Sequence, residues 1–384
     1  MIEPQPQYAG FNITFNVTED CNLRCKYCYE LNKKPGDLPL EYAKKFIDLI
    51  LDDPDPIGVM GTSEAWIMKQ GLILDFIGGD ALMRPILTRD ILRYFIFAST
   101  IKNHRWATRW RSSISTNGTL FGDPNVRDFL EEFKGNISLG ISVDGSPTIH
   151  NLNRSNSMDD ILKYWDWYIQ YVGLENATTK STLNKESIPY LYDSLKFMHL
   201  DLGLRNINQN FIFEPLYLEE KDLSILDEQM EKCVDFVLQH KNDLYWSIIS
   251  KEFGVGKPMQ EPDKGWCGSG AMPALSINGK IYPCFRFMPH TMSSKELDFY
   301  VGDVFNGFYH KDRFKLIRDQ TRANISKPEC ISCPVESNCA WCIGSAYAEC
   351  GKFYRQTNIC EIHKIQSKWA EIYWKKYNEL DNSL

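Results

Sequence analysis

The sequence predicts an α/β fold: a partial, open (β/α)6 TIM-like barrel followed by a Cys-rich C-terminal domain. Two observations carry this. Strand-like and helix-like segments alternate through roughly the first 215 residues, the pattern of a parallel sheet with crossover helices. The twelve cysteines are the second signal. Three lie within 21–28, eight within 267–360, and Cys233 stands apart. The length of 384 residues allows one large domain and a smaller one, and 43% hydrophobic residues suffice for a full core.

The elements follow in order. Phe11, Ile13, Phe15 and Val17 alternate with polar residues, as on a strand. A helical pattern covers 40–51, and residues 53–70 read as an insertion loop. A strand is expected at 72–77, a helix near 89–100, a strand at 111–116, a helix near 125–133 and a strand at 137–143. A helix near 158–171, a strand at 177–183, a helix near 186–200 and a strand near 206–213 complete about six β/α units. Six are too few for a closed eight-stranded barrel, so the site is expected at the C-terminal strand ends of an open one. Residues 218–252 read as helical, and Gly and Pro at 254–266 mark a boundary. The domains are therefore a core at 1–217, a helical bridge at 218–259 and a Cys-rich domain at 260–384. That last domain has little apolar core of its own and needs metal to fold. A helix at 361–378 closes it.

The net charge of −7 argues against nucleic acid as a partner, since phosphate binding draws on clustered Lys and Arg. No run of 18 apolar residues suggests a membrane span. The first ten residues, MIEPQPQYAG, show no basic n-region or apolar h-region, and the chain reads as cytoplasmic. Cysteines in such a chain point to metal ligands, not a disulfide framework.

Cys21-x3-Cys25-x2-Cys28 directly follows the first strand. Three thiolates on one short loop can hold three irons of a cubane cluster and leave the fourth open to an outside ligand. S-adenosylmethionine (SAM) can fill that position, and an electron from the cluster can break its S–C5′ bond to yield a hydrogen-abstracting radical. A zinc site is the alternative, though it usually wants a fourth protein ligand nearby.

The stretch CNLRCKYC resembles the signature of radical SAM enzymes. The resemblance implies a SAM-binding [4Fe–4S] cluster on Cys21, Cys25 and Cys28, with Tyr27 near the adenine. Gly78-Gly79-Asp80 resembles the family's Gly-Gly-Glu motif, which contacts the methionine amino group; Asp shortens the reach. Thr116-Asn117-Gly118 ends the third strand, and Ser142 and Asp144 end the fourth, where the family contacts the SAM ribose and carboxylate. Each alone is an ordinary turn residue; together they sit at successive strand ends.

The C-terminal pattern, Cys267-x11-Gly279-x4-Cys284 and then Cys330-x2-Cys333-x5-Cys339-x2-Cys342 with Cys350 and Cys360, resembles the SPASM extension over about 118 residues. The resemblance implies two auxiliary [4Fe–4S] clusters. Cys330, Cys333, Cys339 and Cys360 would hold the distal one, and Cys267, Cys284 and Cys342 the nearer. Cys350 could complete the nearer set, or that iron stays open to substrate. Paired Cys-x2-Cys also suits zinc ribbons.

SPASM enzymes mostly modify ribosomally made peptides, which implies a Cys-containing precursor peptide and an electron donor such as flavodoxin or ferredoxin as partners. GSPTIHNLNR at 145–154 resembles anaerobic sulfatase-maturing enzymes, which oxidise Cys or Ser to formylglycine. Those carry an Asp after the cysteine of their YPC motif, and here Cys284 is followed by Phe285 and Arg286. The tail from Cys339 resembles maturases that join a cysteine sulfur to carbon. Thioether formation is the leading expectation; C–C or C–O crosslinking and epimerisation remain alternatives. Cys21 comes too early for a preceding leader-binding domain, so 53–70 and 218–252 are candidate peptide contacts. Arg154 can pair with a carboxylate bidentately. His150, Cys233 and the pairs Trp106/Trp110 and Trp165/Trp167 read as packing residues, and His363 as a helix-surface residue.

Overall fold

The computed structural model describes residues 11–53, 71–214, 216–250, 265, 267–294 and 297–381. The insertion at 54–70 and most of the 254–266 boundary lie outside them.

Six parallel strands appear where the sequence places them: β1 (Phe11–Thr18), β2 (Leu72–Gly78), β3 (Trp110–Thr116), β4 (Ile137–Ile141), β5 (Thr178–Leu183) and β6 (Asn206–Phe211). A short seventh, β7 (Tyr245–Trp246), pairs parallel with β6. It lies inside the stretch read as a helical bridge. The bridge helix covers only Glu220–Gln239, and two extended residues are too few to show a period of two. Four short C-terminal strands follow: β8 (Ala274–Leu275), β9 (Lys280–Tyr282), β10 (Gly302–Asp303) and β11 (Gly307–Phe308). β8 pairs parallel with β1, while β9, β10 and β11 run antiparallel. One continuous sheet results, ordered β11-β10-β9-β8-β1-β2-β3-β4-β5-β6-β7, and among the described residues its edges do not close.

Register sorts the two faces of the sheet. Phe15, Phe76, Ile114 and Leu139 lie side by side across β1 to β4, all buried in the main core with Phe46, Phe95 and Phe129 of the crossover helices. The next row along, Thr14, Asp75, Ser113 and Ser138, is polar. Successive strand residues point to opposite faces, so helices cover the apolar face and the concave interior is polar. This is the lining of a ligand chamber and not of a packed core.

The helices match the 3.6-residue pattern closely. Leu40–Asp52 buries Ala43, Phe46, Ile47 and Ile50, the i, i+3, i+4, i+7 stripe. The expected 158–171 helix is broken into Met158–Leu162 and Trp165–Val172. A helix at Pro147–Asn153, within the stretch read as a loop, was not anticipated. The closing helix Cys360–Asp381 packs Trp369, Ala370, Tyr373 and Trp374 into the main core against the Glu220–Gln239 helix. The rest of the C-terminal region has a second, smaller apolar cluster around Tyr282, Phe287, Met288 and Phe299.

His363 is a correction. The ring is 8% exposed, with Nδ1 3.1 Å from Gln366 Oε1, because this turn of the closing helix faces inward. Trp106 and Trp165 are buried, Trp110 and Trp167 pack against the core, and Cys233 is fully buried.

Candidate functional site

The loop carrying Cys21, Cys25 and Cys28 leaves the C-terminal end of β1 and is held by backbone contacts on both sides. The Gly79 amide donates to the Thr18 carbonyl (3.0 Å) and the Asp80 amide to the Asp20 carbonyl (3.1 Å). A Cβ at Gly79 would sit 2.0 Å from the Asp20 carbonyl oxygen and 2.8 Å from Cys21 Cβ; one at Gly78 (φ +137°) would sit 2.0 Å from the Thr18 carbonyl oxygen. Only glycines let β2 end against this loop. On the other side, the Lys26 amide donates to the Asn153 carbonyl (3.0 Å) and the Arg24 amide to Ser155 Oγ (2.9 Å). Arg84 clasps Asp20 (2.5 Å) and Asp37 (2.7 Å).

Cys21 and Cys25 both lie within electrostatic range of Cys28, and burial raises Cys21 and Cys25 above the ordinary thiol value. Two cations face them. Lys33 Nζ is 3.4 Å from Cys28 Sγ, and Arg154 Nη1 is 3.9 Å from Cys25 Sγ. All twelve cysteines are free. A thiol trio without a disulfide, flanked by cations that offset thiolate charge, fits an anionic metal cluster.

The strand-end residues form a connected polar lattice beneath it. Asp80 is buried, and its carboxylate accepts from Thr116 Oγ1 (2.9 Å), the Asn117 amide (2.8 Å) and the Leu82 amide (3.0 Å). Those bonds tie β2 to β3; the side chain expected to meet a SAM amino group is committed to the protein itself. Asn117 Nδ2 donates to Asn22 Oδ1 (2.8 Å), linking β3 to the cysteine loop. Ser142 is half-buried just past β4, its amide donating to the Thr116 carbonyl (2.8 Å). Asp144 is fully buried; it pairs with Arg154 (3.0 Å) and accepts from the Tyr27 hydroxyl (2.5 Å) and the Thr182 amide (3.1 Å). The Arg154 guanidinium also stacks 5.3 Å from the Tyr27 ring centre. Burial, opposed by Arg154, pushes the Tyr27 phenol far up, so it stays a donor. Arg154 is thus a buried hub between Asp144, Tyr27 and Cys25. His150 is packing: its ring meets Ser157 Oγ at 3.0 Å, and burial lowers its pKa to about 4.

Inside the barrel, Asn12 Oδ1, Thr14 Oγ1 and both side-chain polar atoms of Asn16 are buried without a protein partner. Buried polar atoms are ordinarily satisfied. Along β1 they make a row suited to a polar ligand.

The C-terminal cysteines separate into two groups. Cys284 responds to Cys267 and Cys342, and burial lifts its thiol to about 12. Cys360 responds to Cys330 and Cys333, and Cys339 to Cys360 and Cys333, with Cys339 lifted by burial to about 11. Arg355 braces the second group: it is buried, reaches the Cys339 carbonyl (3.3 Å) and pairs with Glu336 (3.3 Å). Cys350 is exposed at the end of helix Ile343–Cys350, its Sγ turned to the Ala346 carbonyl at 4.0 Å.

Sequence reasoning missed the groups that join these regions. Tyr29, immediately after Cys28, lies under the Arg286 guanidinium at 4.2 Å and feels both Cys28 and Cys284. Arg286 pairs with Glu214 (2.5 Å) and lies within electrostatic range of Cys342. His290 sits between Glu19 (3.4 Å) and Glu30 (3.7 Å). The only sequence signal was adjacency: Tyr29 and Glu30 follow Cys28, and Arg286 comes two residues after Cys284.

No family model matches the chain. The structure aligns with native anSMEcpe with bound AdoMet and a peptide over 97% of this chain and 99% of that one, with a TM-score of 0.70 at 16% identity. The fold is that of the radical SAM/SPASM enzymes. The subtilosin biosynthesis protein AlbA of Bacillus subtilis is 24% identical, covering 94% of this chain and 72% of AlbA. An S-adenosylmethionine-dependent nucleotide dehydratase of Selenomonas ruminantium is 28% identical over 74% of this chain and 98% of its own. Relatives also include the radical SAM cyclopropyl synthase TigE of Paramaledivibacter caminithermalis and a serine-type anaerobic sulfatase-maturating enzyme of Bacteroides thetaiotaomicron. Among the described residues no helix is long and apolar enough to cross a membrane.

Proposed function

We propose that this chain is a radical SAM oxidoreductase that modifies a ribosomally made, Cys-containing peptide and forms a thioether crosslink. Cys21, Cys25 and Cys28 would hold the SAM-binding cluster, Cys267, Cys284 and Cys342 the nearer auxiliary cluster, and Cys330, Cys333, Cys339 and Cys360 the distal one. Bound there, cluster and SAM would supply hydrogen-atom abstraction, and the nearer auxiliary cluster an acceptor for the electron released as substrate sulfur bonds to carbon. The observation that carries this reading is the Tyr29–Arg286 stack, which brings the N-terminal thiol loop and the Cys284/Cys342 thiols to one place.

The chain's own part is positioning. Asp144 and Arg154 fix Tyr27 beside the cysteine loop, and the polar row on β1 offers hydrogen bonds to a ligand inside the barrel. Arg286 presents a cation near Cys342, which favours thiolate over thiol there. The position after Cys284 holds Phe285, and the Glu214 carboxylate is already paired with Arg286; both weigh against formylglycine formation. Similarity to AlbA over nearly the whole chain supports peptide chemistry over the small-molecule chemistry of the nucleotide dehydratase. The reading includes a cytoplasmic setting and a flavodoxin- or ferredoxin-type donor.

The test is anaerobic turnover of a Cys-containing candidate peptide with SAM and dithionite, followed by mass spectrometry. Thioether formation removes two hydrogens and one free thiol per crosslink and releases 5′-deoxyadenosine. A peptide that loses its sulfur would instead indicate formylglycine and sink the thioether assignment.

A further inference from the structure

A cluster remote from the cysteines remains unused by this chemistry. The helix after β5 ends in a π turn at Phe197–Asp201, where the Leu202 amide reaches back to the Phe197 carbonyl (3.1 Å). Such wide turns often re-aim a side chain at functional positions. His199 is carried there, 7% exposed, with Nδ1 2.9 Å from the Leu204 carbonyl oxygen. A carbonyl only accepts, so Nδ1 carries a hydrogen and Nε2 is the nitrogen left for a metal ion. That Nε2 lies 3.2 Å from His240 Nδ1, at the C-terminal cap of the Glu220–Gln239 helix, and 3.7 Å from Asp243 Oδ2. The other Asp243 oxygen is 3.8 Å from His240 Nδ1.

We propose that His199, His240 and Asp243 form a divalent transition-metal site, with zinc the best match. The carboxylate is too far from either ring for a good hydrogen bond, yet it lies similarly close to both. A tetrahedral centre with Zn–N near 2.0–2.1 Å and Zn–O near 2.0–2.2 Å spaces its donor atoms about 3.4 Å apart. The two ring nitrogens stand 3.2 Å apart, and the carboxylate turns one oxygen to each ring at 3.7 and 3.8 Å, so a small rotation about its Cβ–Cγ bond offers one oxygen to an ion between the rings. Two imidazoles and one carboxylate suit zinc over magnesium or calcium. The Leu204 carbonyl behind His199 is the outer partner that orients a metal-bound imidazole. One histidine is buried and the carboxylate half-exposed, so an ion can enter from solvent.

The place in the fold indicates the role. β6 begins at Asn206 and β7 at Tyr245, so the cluster lies at the N-terminal strand ends, opposite the cysteine loop. Features on that face of such barrels serve stability. A metal there would pin the β5–β6 crossover to the Glu220–Gln239 helix and to the turn that launches the edge strand β7.

The experiment uses the full chain with its clusters reconstituted anaerobically, so that cysteine thiols are occupied. Wild type, His240→Ala and Asp243→Ala are incubated with zinc chloride, dialysed and assayed for zinc and iron. Wild type is expected to retain about one more zinc per chain than either variant at equal iron, to gain a few degrees in Tm with zinc, and to show the same SAM cleavage rate as both variants. Asp243 is half-exposed, so its variant reports even if His240→Ala folds poorly. Equal zinc content and equal Tm response in wild type and Asp243→Ala would overturn the site and leave the two imidazoles as a simple hydrogen-bonded pair.

Discussion

The two cysteine regions are built in opposite ways. The loop with Cys21, Cys25 and Cys28 is short and clamped by the sheet: β2 bonds it on one side, the Asn153–Ser155 turn on the other, and Arg84 pins its start. Apart from Cys360, which opens the long closing helix, the C-terminal cysteines hang on loops, strands of two or three residues and helices of three to eight, around a small apolar cluster. The first site is held in place by hydrogen bonds and an ion pair from the surrounding fold. The second buries only a small apolar cluster of its own, so we expect its fold to lean on metal.

That contrast makes the largest expected difference. Replacing Cys21, Cys25 and Cys28 together by Ala should drop SAM cleavage to the uncatalysed background, with thermal stability little changed and auxiliary iron retained. Replacing Cys330, Cys333, Cys339 and Cys360 should instead unfold the C-terminal region, since structural metal sites in small domains are worth on the order of 10 kcal/mol. Limited proteolysis between 300 and 360 reads the difference. Equal protease resistance in the two variants would break the comparison.

A smaller test addresses the clamp. Gly79→Ala places a methyl 2.0 Å from the Asp20 carbonyl oxygen, a backbone atom that cannot yield. We expect about 3 kcal/mol of destabilisation by denaturant unfolding, with iron lost from the N-terminal loop first. Gly140→Ala on β4, whose methyl would meet only the flexible Lys180 side chain at 3.5 Å or more, is the control and should be near neutral. If both behave alike, the clamp is not what holds the loop.

Much of this was legible in the sequence. Period and spacing located the six principal strands and the cysteine loop, because a parallel sheet repeats one hydrophobic pattern many times. The pattern failed where elements are too short to repeat, as at Tyr245–Trp246, and where small polar residues hide a helix, as at Pro147–Asn153. Site residues were found by position, but their partners were not. Asp80 was identified as a strand-end residue, yet its bonds to Thr116, Asn117 and Leu82 depend on how β2 and β3 end side by side. Tyr29 and Arg286 stand 257 positions apart and meet through tertiary contacts, the pairing of β8 with β1 and the bond from the Asn32 amide to the His290 carbonyl, that no local pattern encodes. His363 was misplaced because the polar and buried faces of the closing helix overlap at that turn.

The finest prediction asks whether the helix side of the clamp, Pro147–Asn153 and the turn after it, depends on a neutral His150. Its ring is fully buried between the Asp144 amide and Ser157 Oγ, and burial lowers its pKa from 6.5 to about 4. A depressed histidine pKa means the folded state resists protonation. The stabilisation is complete above the unfolded value near 6.5 and is lost as pH falls from there toward 4, where the folded form also takes up its proton. The contribution is on the order of 2 kcal/mol. His150→Asn, which keeps a hydrogen-bonding side chain but cannot titrate, should flatten the pH dependence of unfolding free energy between pH 6.5 and 5, with the variant no less stable than wild type at pH 5. His363, lowered to about 4 by burial on the C-terminal side, would leave a residual slope of the same sign. An unchanged slope in His150→Asn would show that the ring is not held neutral, and the helix Pro147–Asn153 would then be anchored to the cysteine loop by Asn153 and Arg154 alone.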